Sequence, residues 1–393
     1  MKKIILILLI LISITIASCK KENIDKFDYY QPDELYIDEV LNIDEKYSIE
    51  NLTPDIFQVD NHKVIPLKSG IGILKINGHE YQYYIKNYNK ALYIKPYLDE
   101  ELLLSNTNYQ LKFDYGIDHT NVVLEMASID SEINYDPATK MINFSRGGKF
   151  SMTFYDVNDP SLSGTINFDV KFSDSFEGFC VLFVGNSLTK YSFNIPLMFK
   201  NLLDEAKIYN TVIIDAVNST YLDEHEESFN QLMNKNYYTH VVLQERSNGP
   251  AVEYERYDKV ITKYNELIQK NLAKLVLYET WGYNYSDQIK KDELRDALFR
   301  AITKCASDHN AILVRSGEVF RALENKGFSE SLYASAEDIN HPSIYGAFAS
   351  ACTFYATLTN NHVSNLKYHP DEISDELSNI IKNTVDNLIF NEG

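Results

Sequence analysis

Tryptophan occurs once in the 393 residues and cysteine four times, and basic side chains are outnumbered 37 to 56, for a formal net charge of −19. The shortage of cations excludes a nucleic-acid role, because such a binder needs a positive face to displace counterions. Neither a Cys-x-x-Cys nor a His-Glu-x-x-His is present and the nine histidines are scattered, so no metal and no cofactor is expected. Long apolar runs are missing too. Residues 4–16, broken only by Ser13 and Thr15, fall short of the roughly 20 needed to cross a bilayer. Disorder is excluded by what is abundant: 29 Tyr, 20 Phe and 45% hydrophobic residues. At roughly 100–200 residues per domain the length predicts two or three domains.

The short apolar run has a meaning of its own. It follows Lys2 and Lys3 and ends on Ile16-Ala17-Ser18-Cys19, the layout of a secretory signal. Ending on cysteine, it resembles the lipobox of bacterial lipoproteins. That resemblance implies a signal peptide over 1–18, cleavage before Cys19, lipid on Cys19 and membrane attachment through it in the bacterial cell envelope. Whether the face is periplasmic or surface stays open. A plain signal with an incidental cysteine is the alternative. Residues 19–32 are polar and read as a tether. Of the other cysteines, Cys180, Cys305 and Cys352 read as buried free thiols, with a Cys305–Cys352 disulfide as the alternative in an exported chain.

Up to about residue 172 the hydrophobic period is two. Tyr109, Leu111, Phe113 and Tyr115 alternate with polar neighbours, as do Phe150, Met152 and Phe154, and then Ile166, Phe168, Val170 and Phe172. Such alternation marks half-buried antiparallel strands. Asn77-Gly78 between two apolar runs predicts a hairpin, because both residues tolerate positive φ. Residues 51–72 resemble the bacterial Ig-like repeat, with a weaker echo through residues 133–150. We expect all-β sandwiches over 30–88 and 89–174, with one larger β-domain as the alternative.

Beyond residue 178 short apolar runs (179–184, 212–215, 240–243, 274–278, 311–314) alternate with helical patterns over 195–206, 254–271 and 292–307. This alternation predicts an α/β domain over 178–393, a parallel sheet covered on both faces. Its chemistry belongs beyond the carboxyl ends of the strands. Just past the first strand stands Gly185-Asn186-Ser187-Leu188-Thr189, with a helix following whose amide end would favour an oxyanion. Near the other end stands Asp338-Ile339-Asn340-His341-Pro342-Ser343. Three residues apart, Asp338 can hold the imidazole of His341 while the other ring nitrogen reaches a serine hydroxyl. Either motif alone is also an ordinary turn or capping loop.

Together these two blocks resemble the SGNH, or GDSL-type, hydrolases over about residues 178–360. Residues 238–247, with Val242-Leu243-Gln244-Glu245, and Thr280-Trp281 add to the likeness. Asn186 departs from the Asp common in that family. The resemblance implies a three-layer, flavodoxin-like domain with Ser187 as nucleophile, His341 as general base and Asp338 as its orienting partner. It implies oxyanion donors at the Ser187 N–H, at Ser219, which stands where the family usually has glycine, and at the side chain of Gln244. Trp281, past a strand end, is either a platform for sugar or packing. His225 reads as a capping or surface residue. Arg246 reads as a surface ion pair, with contact to an anionic substrate as the alternative.

The expected reaction is hydrolysis of an ester on carbohydrate, O-acetyl first, by a lipid-anchored monomer acting on acetylated glycan. Lipid or aryl esters remain open as substrates. The rival from another class is a non-catalytic glycan-binding lipoprotein, against which the joint presence of Ser187, Asp338 and His341 speaks. An α/β-hydrolase would need glycine at position 189, which is Thr.

Overall fold

The computed structural model describes residues 34–36, 40–86, 94–115, 123–157, 160, 162–328 and 330–391. The expected signal, the tether and Cys19 lie outside the described residues. Among the described residues no helix is long and apolar enough to cross a membrane. The chain divides into two compact units, Met1–Tyr93 with Tyr115–Asp118, and Ile94–Asp114 with His119–Gly393.

In the first unit a four-stranded and a three-stranded sheet are joined by one apolar core, in which Phe57 and Val64 of one sheet meet Leu74, Ile76 and Tyr83 of the other. Asn77 and Gly78 close the hairpin between Gly70–Ile76 and His79–Lys86 with φ of 52° and 87°. In the second unit, strands Leu124–Ile129, Gly148–Asp156 and Ser163–Lys171 pair antiparallel. The inward set Phe150, Met152, Phe154, Phe168 and Val170 is buried, as the alternation requires. Phe144 meets Phe168 edge-on at 4.9 Å.

The same unit continues into five parallel strands, β1 (Gly178–Gly185), β2 (Tyr209–Ala216), β3 (His240–Leu243), β4 (Lys274–Glu279) and β5 (Ile312–Arg315), in the order 2-1-3-4-5. Val181 and Phe183 face one core with α1 (Ile195–Glu205), α5 (Ser316–Glu324), α6 (Ile344–Thr359) and α7 (Asp375–Phe390). Leu182 and Val184 face the other with α2 (Glu226–Lys235), α3 (Tyr254–Lys270) and α4 (Gln288–Asp308). Strands buried on both faces are why these segments read as unbroken apolar runs. The helices start where capping chemistry allows: Asn194 accepts from Leu197 N, and Ser343 accepts from Tyr345 and Gly346 N. Strand order reverses between β1 and β3, and the crevice beyond that switch point is where such sheets hold ligands.

Cys180, Cys305 and Cys352 are buried free thiols, so the alternative Cys305–Cys352 disulfide is not formed. Cys305 lies in the α3/α4 layer and Cys352 in the α6/α7 layer, and the sheet separates them. Burial pushes the Cys180 thiol up to about 11 and that of Cys305 to about 12, which leaves both unreactive.

Candidate active site

Ser187 stands in a tight turn at the carboxyl end of β1. The carbonyl of Asn186 accepts from Thr189 N (2.9 Å) and Lys190 N (3.1 Å), and its side-chain Oδ1 accepts from Leu188 N (3.1 Å). Helix α1 begins only at Ile195. Ser187 therefore sits in a self-closed turn, not in the first turn of the helix whose dipole the sequence suggested would act there; that dipole falls off within a turn. Gly185 makes room for the brace. A Cβ there would lie 2.6 Å from Gln244 Oε1, which accepts from Asn186 N and Thr189 Oγ1, both at 2.9 Å.

The imidazole arrives from the far end of the domain. His341 Nε2 is 2.9 Å from Ser187 Oγ, and His341 Nδ1 is 2.9 and 3.0 Å from the two oxygens of Asp338. Burial pushes the Asp338 carboxyl up, but the backbone N–H and ring of His341 outweigh it and hold it below its ordinary value. An ionised carboxylate can only accept, so Nδ1 donates to Asp338, while Nε2 faces the Ser187 hydroxyl. The loop is fixed from several sides. His341 O accepts from Ala334 N, Ile339 O from Asn284 N and Asn340 O from Trp281 Nε1 (2.8 Å), while Asn340 Nδ2 donates to Ser247 Oγ. Ser343 then caps α6, whose Gly346 lies so close to Leu332 O that a Cβ would be 2.4 Å from it.

Three expectations are corrected or refined here. Trp281 is 1% exposed, stacks on Phe320 at 4.2 Å and spends its N–H on Asn340 O. It is packing that steadies the histidine loop, and its face is closed to a sugar. Gln244 is buried and braces the Ser187 turn: Oε1 accepts from Asn186 N and Thr189 Oγ1, and Nε2 donates one of its two protons to Glu245 O. Ser219 is exposed with φ of 65°, the left-handed region glycine prefers, in the loop after β2. Among the described residues neither the Ser187 N–H nor the Ser219 N–H has an acceptor.

Other side chains surround this edge. Tyr191, half exposed, stacks on His341 at 4.3 Å. Sequence reasoning missed it; an aromatic four residues past Ser187 was the available signal. Arg246 has no carboxylate partner among the described residues, and its guanidinium lies 4.8 Å over the Tyr221 ring. His225, expected to cap or lie on the surface, is 3% exposed and makes no capping bond. Glu245 accepts from Arg246 N and Leu222 N, yet its burial dominates and pushes it up to about 7. Away from this edge, Asp258, Cys305 and His309 gather three donor atoms within 4.8 Å. Two of them hydrogen-bond, His309 Nε2 to Asp258 Oδ1 at 2.9 Å, beside a buried thiol. A divalent ion there would first require that thiol to ionise.

No family model and no curated protein matches the sequence. Solved structures that it resembles include an inferred SGNH hydrolase from Slackia heliotrinireducens, at TM-score 0.41 and 27% identity, covering 46% of this chain and 99% of that one. A DUF4886 family protein from Bacteroides uniformis gives TM-score 0.46 and 14% identity, over 55% of this chain and 97% of that one. A catalytic mutant of an acetylxylan esterase from Geobacillus stearothermophilus gives TM-score 0.39 and 12% identity, over 47% and 94%.

Proposed function

We propose that this protein is an exported, lipid-anchored serine esterase of the SGNH type that removes ester groups, O-acetyl foremost, from carbohydrate. The observation that carries the reading is the unbroken chain of hydrogen bonds from Asp338 through His341 to Ser187 at the switch point of a parallel sheet.

The reaction follows from that geometry. As Ser187 Oγ attacks the ester carbonyl, its proton passes to His341 Nε2, and the carbonyl π pair becomes the oxyanion. Asp338 stabilises the imidazolium that forms. The unengaged N–H groups of Ser187 and Ser219 are the donors for the oxyanion. Collapse of the tetrahedral intermediate breaks the bond to the sugar oxygen, which leaves with the proton held on Nε2. Water then repeats the sequence on the acyl-enzyme, returning Ser187 and releasing the acid. The carbohydrate part of the proposal rests on the sequence: a tether and β-rich segments ahead of the hydrolase suit a polymer outside the cell, and the acetyl group follows from the family resemblance.

Acetate release from acetylated glycans and from a simple aryl acetate tests this, comparing the natural protein with Ser187→Ala. The variant should lose about 10⁴-fold or more in kcat. Equal rates in the two proteins would sink the assignment.

A further inference from the structure

Behind the loop that carries Ser219 lies a second chain of aspartate, histidine and hydroxyl. His225 Nδ1 is 3.1 Å from Asp215 Oδ2 on β2, and His225 Nε2 is 2.9 Å from Thr220 Oγ1. Ser228 Oγ on α2 donates to the same Asp215 oxygen at 2.6 Å. We propose that His225 is a positioning residue of the esterase: anchored by Asp215, it fixes Thr220 and so holds the Ser219 N–H where the oxyanion develops. The inference rests on the esterase reading above.

Bond accounting shows what the ring does. The Thr220 hydroxyl has one proton, and the carbonyl of Val217, 2.7 Å away, can only accept it. Thr220 Oγ1 is then left with lone pairs, so the bond from Nε2 must be a donation. Burial raises Asp215, but the bonds from His225 and Ser228 outweigh it and hold the carboxyl below its ordinary value. Through its two ring nitrogens the imidazole joins Asp215 on β2 to Thr220 in the loop, as a rigid strut.

The loop is tied equally firmly to the nucleophile turn. Val217 N donates to Gly185 O at 3.1 Å, and Asn186 Nδ2 donates to Thr220 O at 3.1 Å. Ser219 sits between these two ties with φ of 65°. A serine keeps a left-handed backbone only where its surroundings over-determine it, and the Asp215–His225–Thr220 strut supplies that determination. Two bland roles fail. His225 precedes α2 without a side-chain capping bond, and at 3% exposure it is closed to substrate.

The test uses the full chain, an aryl acetate and titration of Ser187 by a reactive phosphonate, so that kcat is counted per labelled site. His225→Ala and Thr220→Val should each lower kcat about ten- to hundredfold with KM within about twofold, since a misplaced donor weakens only the transition state. Thr220→Ser keeps the hydroxyl and should restore the rate, which separates positioning from folding if His225→Ala is unstable. Wild-type kcat per labelled site in both His225→Ala and Thr220→Val, or a change confined to KM, would overturn the inference while leaving the esterase reading intact. Absence of Ser187-dependent labelling and turnover in the natural protein overturns both.

Discussion

Among the described residues the trio of aspartate, histidine and hydroxyl occurs twice, and the two copies differ in how exposed their aspartate and histidine are. In Asp338–His341–Ser187 the aspartate and histidine side chains are 33% and 22% exposed, and the serine hydroxyl has no partner but the ring among the described residues. In Asp215–His225–Thr220 the corresponding side chains are 13% and 2% exposed, and the threonine proton is already given to Val217 O. A hydroxyl becomes a nucleophile only when its proton has nowhere to go but the base and its oxygen can meet a carbonyl. The first set meets the proton condition, and the second does not: the Thr220 proton is held by Val217 O, and its bonds go into holding a loop.

One substitution made in both places separates these roles. Asp338→Asn leaves the shape intact but removes the charge that fixes the tautomer, and should lower kcat about 10³- to 10⁴-fold. Asp215→Asn should lower it about ten- to hundredfold, because it disturbs only an oxyanion donor. Equal losses in kcat would erase the distinction.

A buried carboxyl without an imidazole sharpens the contrast. Glu279, fully buried at the end of β4, is pushed up to about 8 by burial first and by Glu318 next, against an ordinary 4.5. Its neutral form fits the fold, so the stability it contributes is complete below pH 4.5 and is lost as pH rises through about 8. Asp338 and Asp215, held low, have the opposite sign: their contribution is present above the ordinary carboxyl range and is lost on acidification. Glu279→Gln should raise the melting temperature at pH 9 and flatten its decline between pH 5 and 8, measured by thermal unfolding across pH. An unchanged profile would mean that Glu279 ionises freely in the fold.

The smallest expected effect is at Ser219. Relieving a non-glycine residue of positive φ is worth roughly 1 kcal/mol at most, so Ser219→Gly should shift the melting temperature upward by only a few degrees. Its kcat should stay within about threefold of the natural protein, because the N–H is retained. A large loss of rate would show that the serine side chain itself takes part.

Much of this was legible in the sequence wherever the signal was local. Ser187 next to Gly185, and Asp338 three residues from His341, carry their geometry in their spacing. The strand and helix patterns beyond residue 178 followed because strands buried on both faces are uniformly apolar. What failed was burial of polar or amphipathic groups at strand ends. Trp281 and Gln244 follow β4 and β3 at the edge that ligands approach, yet each turns inward, one onto Phe320 and one onto Asn186. His225 was misread because its acceptor, Asp215, lies on a strand and its other partner, Thr220, in a loop, a meeting that neither periodicity nor motif spacing encodes.

The distance along the chain between His341 and Ser187 bears on which part of the chain the proposed chemistry requires. Ser187 and His341 are 154 positions apart in the chain, one just after the first of the five strands and the other beyond the fifth. The histidine loop closes only when Ser343 caps α6 and Trp281, Asn284 and Leu332 supply its ties. A chain that stops short of this point has Ser187 but lacks the imidazole that the proposed reaction needs, so the proposed hydrolysis requires a chain that extends past His341 and Ser343.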